Sequence, residues 1–93
     1  MRFEWDPRKA KINLRKHGVS FDEAKDAFRD PYAQSWLDSE HAEFEDRYQL
    51  LAQSRRRDIL LLISYCFKND GRVRIISARR ASKLERKQYS EER

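Results

Sequence analysis

The residues best fitted for chemistry are the arginines of the last quarter of the chain. Between Arg72 and Arg93 stand eight Lys/Arg against three Asp/Glu, whereas residues 1–71 hold thirteen of each. The whole net charge of +5 is therefore carried by this tail, and a polyanion should be sought there. Arg79 and Arg80 follow the apolar pair Ile75-Ile76 and precede Ser82, which sets them at a corner between a strand and a helix. A guanidinium is planar, always protonated, and offers phosphate two parallel donors, so Arg79 at that corner is a candidate for a phosphate clamp. Its alternative is a surface pair with Glu85 or Glu45. Arg74 alternates with Val73 and Ile75 and can share a sheet face with Arg72, and Arg47 on a neighbouring strand can reach that face. Taken singly each is a solvated strand charge; only a cluster would make a site. Arg80, Arg86, Lys9, Lys16 and the Arg55–Arg57 turn extend the positive surface.

Proton transfer has fewer candidates. His17 ends a cationic helix and His41 lies among carboxylates, and histidine titrates near neutrality. Glu85 and Tyr89 are one helical turn apart on one face. The plainer roles are a cap completed by Glu85 and a final helix packed onto the sheet by Tyr89. For Glu85 the plainer role is favoured; for Tyr89 both stay open. Trp5 and Trp36 read as core, with base stacking the alternative for an exposed ring. Two histidines and the lone Cys66, far apart, form no zinc pattern, and no cofactor is expected.

These residues need a frame. Arg2–Asp6 alternates and predicts a short strand, with Phe3 and Trp5 on one face. Asp6-Pro7 starts a helix that runs to His17 and stops at Gly18, with Ala10, Leu14 and His17 as its inner stripe. Ser20 and Glu23 form a capping box for a second helix, which buries Phe21, Ala24 and Phe28 and ends at Asp30-Pro31. Strands follow at Tyr32–Leu37 and Arg47–Gln53, joined by an acidic connection from Asp38 to Glu45. Ile59–Phe67 is nearly all apolar and should be a central strand covered on both faces. Asp70-Gly71 supplies a hairpin turn into the tail strand, and Ser82 with Glu85 caps the last helix. The expected order is β-α-α-β-β-β-β-α. It makes an α+β fold in which two N-terminal helices pack on a mostly antiparallel sheet, with a short C-terminal helix.

Ninety-three residues suffice for one domain, residues 1–93, with one modest core. Phe3, Phe28, Ile59–Ile63, Ile75 and Ile76 are assigned to it. The longest apolar stretch is strand-sized and no apolar signal region opens the chain, so a cytoplasmic protein without membrane contact is expected.

Three blocks of the sequence carry a resemblance: FEWDPRKAKINLRKHGVSFDEAKDAFRDP, then DSEHAEFEDRY, then RIISARRASKLERKQY. In this order and spacing they resemble the BrnT toxins, ribonucleases of type II toxin–antitoxin pairs within the wider RelE-like group. The resemblance implies a metal-independent endoribonuclease that arrests translation. It also implies a ribbon-helix-helix antitoxin and operator DNA bound through their complex. One departure is Arg57-Asp58, where relatives tend to carry Gly-Arg, and it implies a longer hairpin there. Cutting RNA without a metal needs a base for the 2′-hydroxyl, cations for the phosphate and an acid for the departing 5′-oxygen. The candidate catalytic set is Arg79, Arg74, Arg47, Tyr89, His17 and Glu85, with Lys16, Arg72, Arg80 and Arg86 for RNA binding. The alternatives are a nucleic-acid-binding or partner-docking module without catalysis.

Overall fold

The computed structural model describes residues 1–41 and 45–92. Its elements follow the expected order: β1 (Phe3–Glu4), α1 (Pro7–His17), α2 (Phe21–Ala27), β2 (Gln34–Leu37), β3 (Arg47–Ser54), β4 (Ile59–Phe67), β5 (Val73–Arg80) and α3 (Lys83–Glu92). Between β2 and β3 lies a single 3-10 turn, Ser39–His41; the rest of the acidic connection through residue 44 and the His41 side chain fall outside the described residues.

The helix starts behave as their residues dictate. Asp6 caps α1 by accepting the Arg8 N–H at 2.8 Å, Pro7 follows it, and Gly18 closes the helix at φ 68°. Ser20 caps α2 by accepting the Glu23 N–H at 3.0 Å. Only half of that capping box forms, because the Glu23 carboxylate turns away to other partners. At α3 the box closes both ways: Ser82 N–H donates to Glu85 Oε1 at 2.8 Å and Glu85 N–H to Ser82 Oγ at 3.2 Å.

The strands form one mixed sheet in the order β1-β5-β4-β3-β2. β2 through β5 are antiparallel neighbours, and β1 joins β5 in parallel through Phe3↔Val73 and Glu4↔Arg74. One face packs against α1 and α2. There Val19, Phe21, Ala24 and Ala27 meet Leu50, Ala52, Leu61, Ile63, Tyr65, Val73, Ile75 and Ala78. On the other face α3 covers only one end, where Tyr89 and Ala81 pack on Leu51, Leu60 and Leu62 beside Trp36. β4 is thus packed against the helices α1 and α2 on one side and covered by α3 on the other only at Leu60 and Leu62. Phe3, Phe28 and Ile59 join the first core as partly buried residues.

Two expectations need correction. The inner stripe of α1 is Ala10, Asn13 and His17, while Leu14 is 51% exposed. The fully buried member is Asn13, because its amide satisfies strand groups that leucine could not (see below). Ile76 is only half-buried and lies outside both core clusters. Ser64 pairs with Ser77 and Tyr65 with Ile75, so Ile76 is the extra residue of a β-bulge. Cys66 is fully buried, and burial is the first cause that pushes its thiol pKa up.

Candidate active site

The bulge decides where the tail arginines point. Side chains on a regular strand alternate, so Arg74 and Arg79, five apart, would lie on opposite faces. Ile76 absorbs one residue, and both then lie on the face opposite Val73, Ile75 and Ala78. Arg74 belongs to the row Arg47–Cys66–Arg74–Glu4. The next row is Trp36–Gln49–Ser64–Ser77, and the third is Gln34–Leu51–Leu62–Arg79. On β4 these rows run from Cys66 to Leu62, four residues or about 13 Å. The end of this face that α3 leaves bare therefore has arginines at both limits and a polar floor between them, where Trp36 Nε1 donates to Gln49 Oε1 at 3.1 Å.

The charges of this face are unequally engaged. Glu4 holds Arg72 at 2.7 Å and Arg74 at 2.5 Å, and Arg72 also binds Asp70 at 2.7 Å. Asp70 is held below the usual carboxylate range, first by the hydrogen bond from the Arg72 side chain. Arg47, half-buried in the same row, has no ion pair among the described residues. Arg79 is taken by Glu85: Nη1 donates to Oε1 at 2.9 Å and Nη2 to Oε2 at 3.0 Å, a two-pronged pair. Nη1 also donates to the Arg80 carbonyl at 3.0 Å. The Glu85 carboxyl is lowered in pKa, first by the Arg79 hydrogen bonds, against an opposing contribution from burial.

His17 and Lys16 meet this region from its edge. They share a shallow pocket of about 190 Å³ with Lys9, Ile12, Asn13, Ile76 and Ser77, between α1 and the free side of β5. Ser77 lies in the polar floor, one same-face step from Arg79.

The remaining candidates stand elsewhere. Tyr89 is buried, and its hydroxyl donates to Asp30 Oδ2 at 2.5 Å, so it takes the packing role and is removed from proton transfer. Arg86 donates to the Ala81 carbonyl at 3.2 Å and lines, with Arg80, a separate pocket beyond α3 over Leu60 and Tyr89. Trp5 packs edge-on to Phe21 in the first core. The Arg55–Arg57 turn divides. Arg55 is exposed, and Arg56 pairs with Asp26 at 2.7 Å. Arg57 reaches into the molecule: its Nη2 donates to Glu23 Oε1 at 2.6 Å and to the Gly18 carbonyl at 2.9 Å. Glu23 is buried and also accepts from Ser54 Oγ at 2.6 Å. Arg57 is thus a structural tie between this turn and the α1–α2 junction. The turn spans residues 55–58, and Asp58 occupies its left-handed position at φ 55°.

Sequence reasoning missed Asn13 as a buried amide and Gln49, Ser64 and Ser77 as the floor. The only signal for the floor was the polar member of each alternating pair.

Comparison with known proteins agrees with this architecture. The family described as "Ribonuclease toxin, BrnT, of type II toxin-antitoxin system" matches residues 5–85. No curated protein matches significantly. The 1.1 Å crystal structure of the Brucella abortus ribonuclease toxin BrnT has the same fold, with a TM-score of 0.67. The match covers 89% of this chain and 99% of that one at 21% identity.

Proposed function

The chain belongs to the BrnT family of ribonuclease toxins of type II toxin–antitoxin systems, and from that premise we propose that it cleaves RNA without a metal on the half of its sheet that α3 leaves bare. The observation that carries this reading is the gathering of Arg74 and Arg79 on one face by the Ile76 bulge, with Arg47, which has no ion pair among the described residues, in the Arg74 row. An RNA backbone laid across Gln49, Ser64 and Ser77 meets guanidinium groups at both ends. These neutralise the charge that builds on the phosphate as the 2′-oxygen attacks. Arg79 grips the scissile phosphate, and Arg74 and Arg47 hold the flanking backbone. His17, at the edge pocket beside Ser77, gives the proton that the leaving 5′-oxygen requires. Lys16, Arg72, Arg80 and Arg86 add attraction for RNA that does not depend on its sequence.

The setting in a toxin–antitoxin pair supports a cognate antitoxin that covers this basic face. We assign it the ribbon-helix-helix class, so that the complex binds operator DNA, and the toxin acts on RNA in the cytoplasm. The test is purified, partner-free protein incubated with RNA in EDTA, with product ends mapped. Cyclic phosphate and 5′-hydroxyl ends, lost in Arg79→Ala, are expected. RNA that is bound but left intact would overturn catalysis and leave a nucleic-acid-binding module.

A further inference from the structure

Resting on that ribonuclease reading, we propose that Glu85 is the general base of cleavage and that Arg79 masks it until an RNA phosphate takes the Arg79 fork. In the free protein the two parallel donors of Arg79 are spent on the two oxygens of Glu85. A phosphate presents the same pair of oxygens to the same fork, so substrate and carboxylate compete for one guanidinium. Binding of RNA is then an exchange of partners at a fixed place.

Glu85 does not need Arg79 to stay in position. Its Oε1 accepts the Ser82 N–H and its own N–H is held by Ser82 Oγ, so the cap anchors the carboxylate on the first turn of α3. When the guanidinium moves to phosphate, the carboxylate remains within reach of the ribose beside that phosphate. Losing its strongest hydrogen bonds also makes it more basic. Two other carboxylates are less free. Glu4 is gripped by both Arg72 and Arg74, and two arginines would have to leave it. Glu23 is buried under Arg57 and Ser54 on the helix side.

The step balances. Glu85 takes the proton of the 2′-hydroxyl, and the 2′-oxygen forms its bond to phosphorus. The bond from phosphorus to the 5′-oxygen breaks, and that oxygen takes a proton from His17. The products are a 2′,3′-cyclic phosphate and a 5′-hydroxyl, with one proton moved from His17 to Glu85 overall.

The deciding variant is Glu85→Gln, because glutamine still accepts the Ser82 N–H and so keeps the cap. It removes the charge that holds Arg79. RNA affinity should rise several-fold while the rate of the bound complex falls by about 10²–10⁴-fold, the usual contribution of a general base. Glu85→Asp, which keeps a proton acceptor at shorter reach, should recover part of that rate. Two outcomes count against the idea. If Glu85→Gln binds more tightly and cleaves as fast as the unaltered protein, Glu85 is only a brake on Arg79. If Glu85→Asp is no faster than Glu85→Gln, the carboxylate is not the base. Failure of the unaltered protein to cleave removes the ribonuclease reading beneath the proposal, and both fall together.

Discussion

Asn13 acts toward Ala78 as a one-residue strand. Its Oδ1 accepts the Ala78 N–H at 3.0 Å and its Nδ2 donates to the Ala78 carbonyl at 2.8 Å. The same Nδ2 donates to the Val19 carbonyl at 2.9 Å. β1 covers β5 only at Val73 and Arg74, so the amide satisfies backbone groups that the sheet leaves open. Asn13→Ala strands these buried groups and should cost about 2–4 kcal/mol. A lower urea midpoint at an unchanged slope is the expected reading. Unchanged stability would mean that water or a shifted α1 replaces the amide.

Acid stability should depend on Glu23. Hydrogen bonds from Arg57 are the first cause that lowers its pKa, opposed by burial and aided by Ser54. A carboxylate depressed in the folded state contributes stability that is fully present above its unfolded pKa, about 4.3. That stability is lost as pH falls through the lower folded value. The unaltered protein should therefore lose melting temperature between about pH 5 and 3. In Arg57→Ala the hydrogen bonds that first depress the Glu23 pKa are gone while its burial remains, so the variant is weaker at neutral pH and flatter on acidification. Parallel melting curves for the two proteins would refute the tie.

Asp58 pays a backbone cost at φ 55°, a conformation that favours glycine and tolerates Asp or Asn. Asp58→Val adds a β-branched side chain there and should lose about 1–2 kcal/mol, whereas Asp58→Gly should be neutral or slightly stabilising. Thermal melting separates the two. Equal losses would point to the Asp58 contact with Gln53 Nε2, at 2.8 Å, as the real contribution.

Tyr89→Phe tests a role assigned to packing. The ring stays and the hydrogen bond to Asp30 goes, so stability should fall by about 1 kcal/mol. RNA cleavage, measured well below the melting temperature, should be unchanged. A large loss of rate with normal stability would return the hydroxyl to the chemistry.

Local signals were readable in the sequence because their physics is local. Asp6-Pro7, Gly18, Ser20 and the Ser82–Glu85 box each act within a few residues, and each marks the helix end it predicts. Two things escaped for a shared reason. Asn13 and Leu14 fit the helical stripe equally well by spacing, and the choice between them is made by Ala78, 65 residues away. Glu23 has the spacing of a capping box, but its carboxylate is claimed by Arg57, 34 residues away. The candidate site shows the same limit. Arg74, Arg79 and Arg47 were legible as residue types, and their meeting on one face was not, since alternation alone separates the first two. The Arg79 pairing with Glu85 was foreseen as an alternative because both partners lie within one corner.

The bulge also bears on how the chain can change length. Ile76 is a residue that the ladder between β4 and β5 does not count, because Ser77 and Ile75 pair with adjacent residues of β4. Its deletion would leave an unbroken alternation in which Ala78 still faces the helices and Arg79 still faces Arg74. A second inserted residue with no bulge to hold it would turn Arg79 toward the core and Ala78 outward. The last strand thus has one position at which a codon can be lost while its arginines keep their side of the sheet.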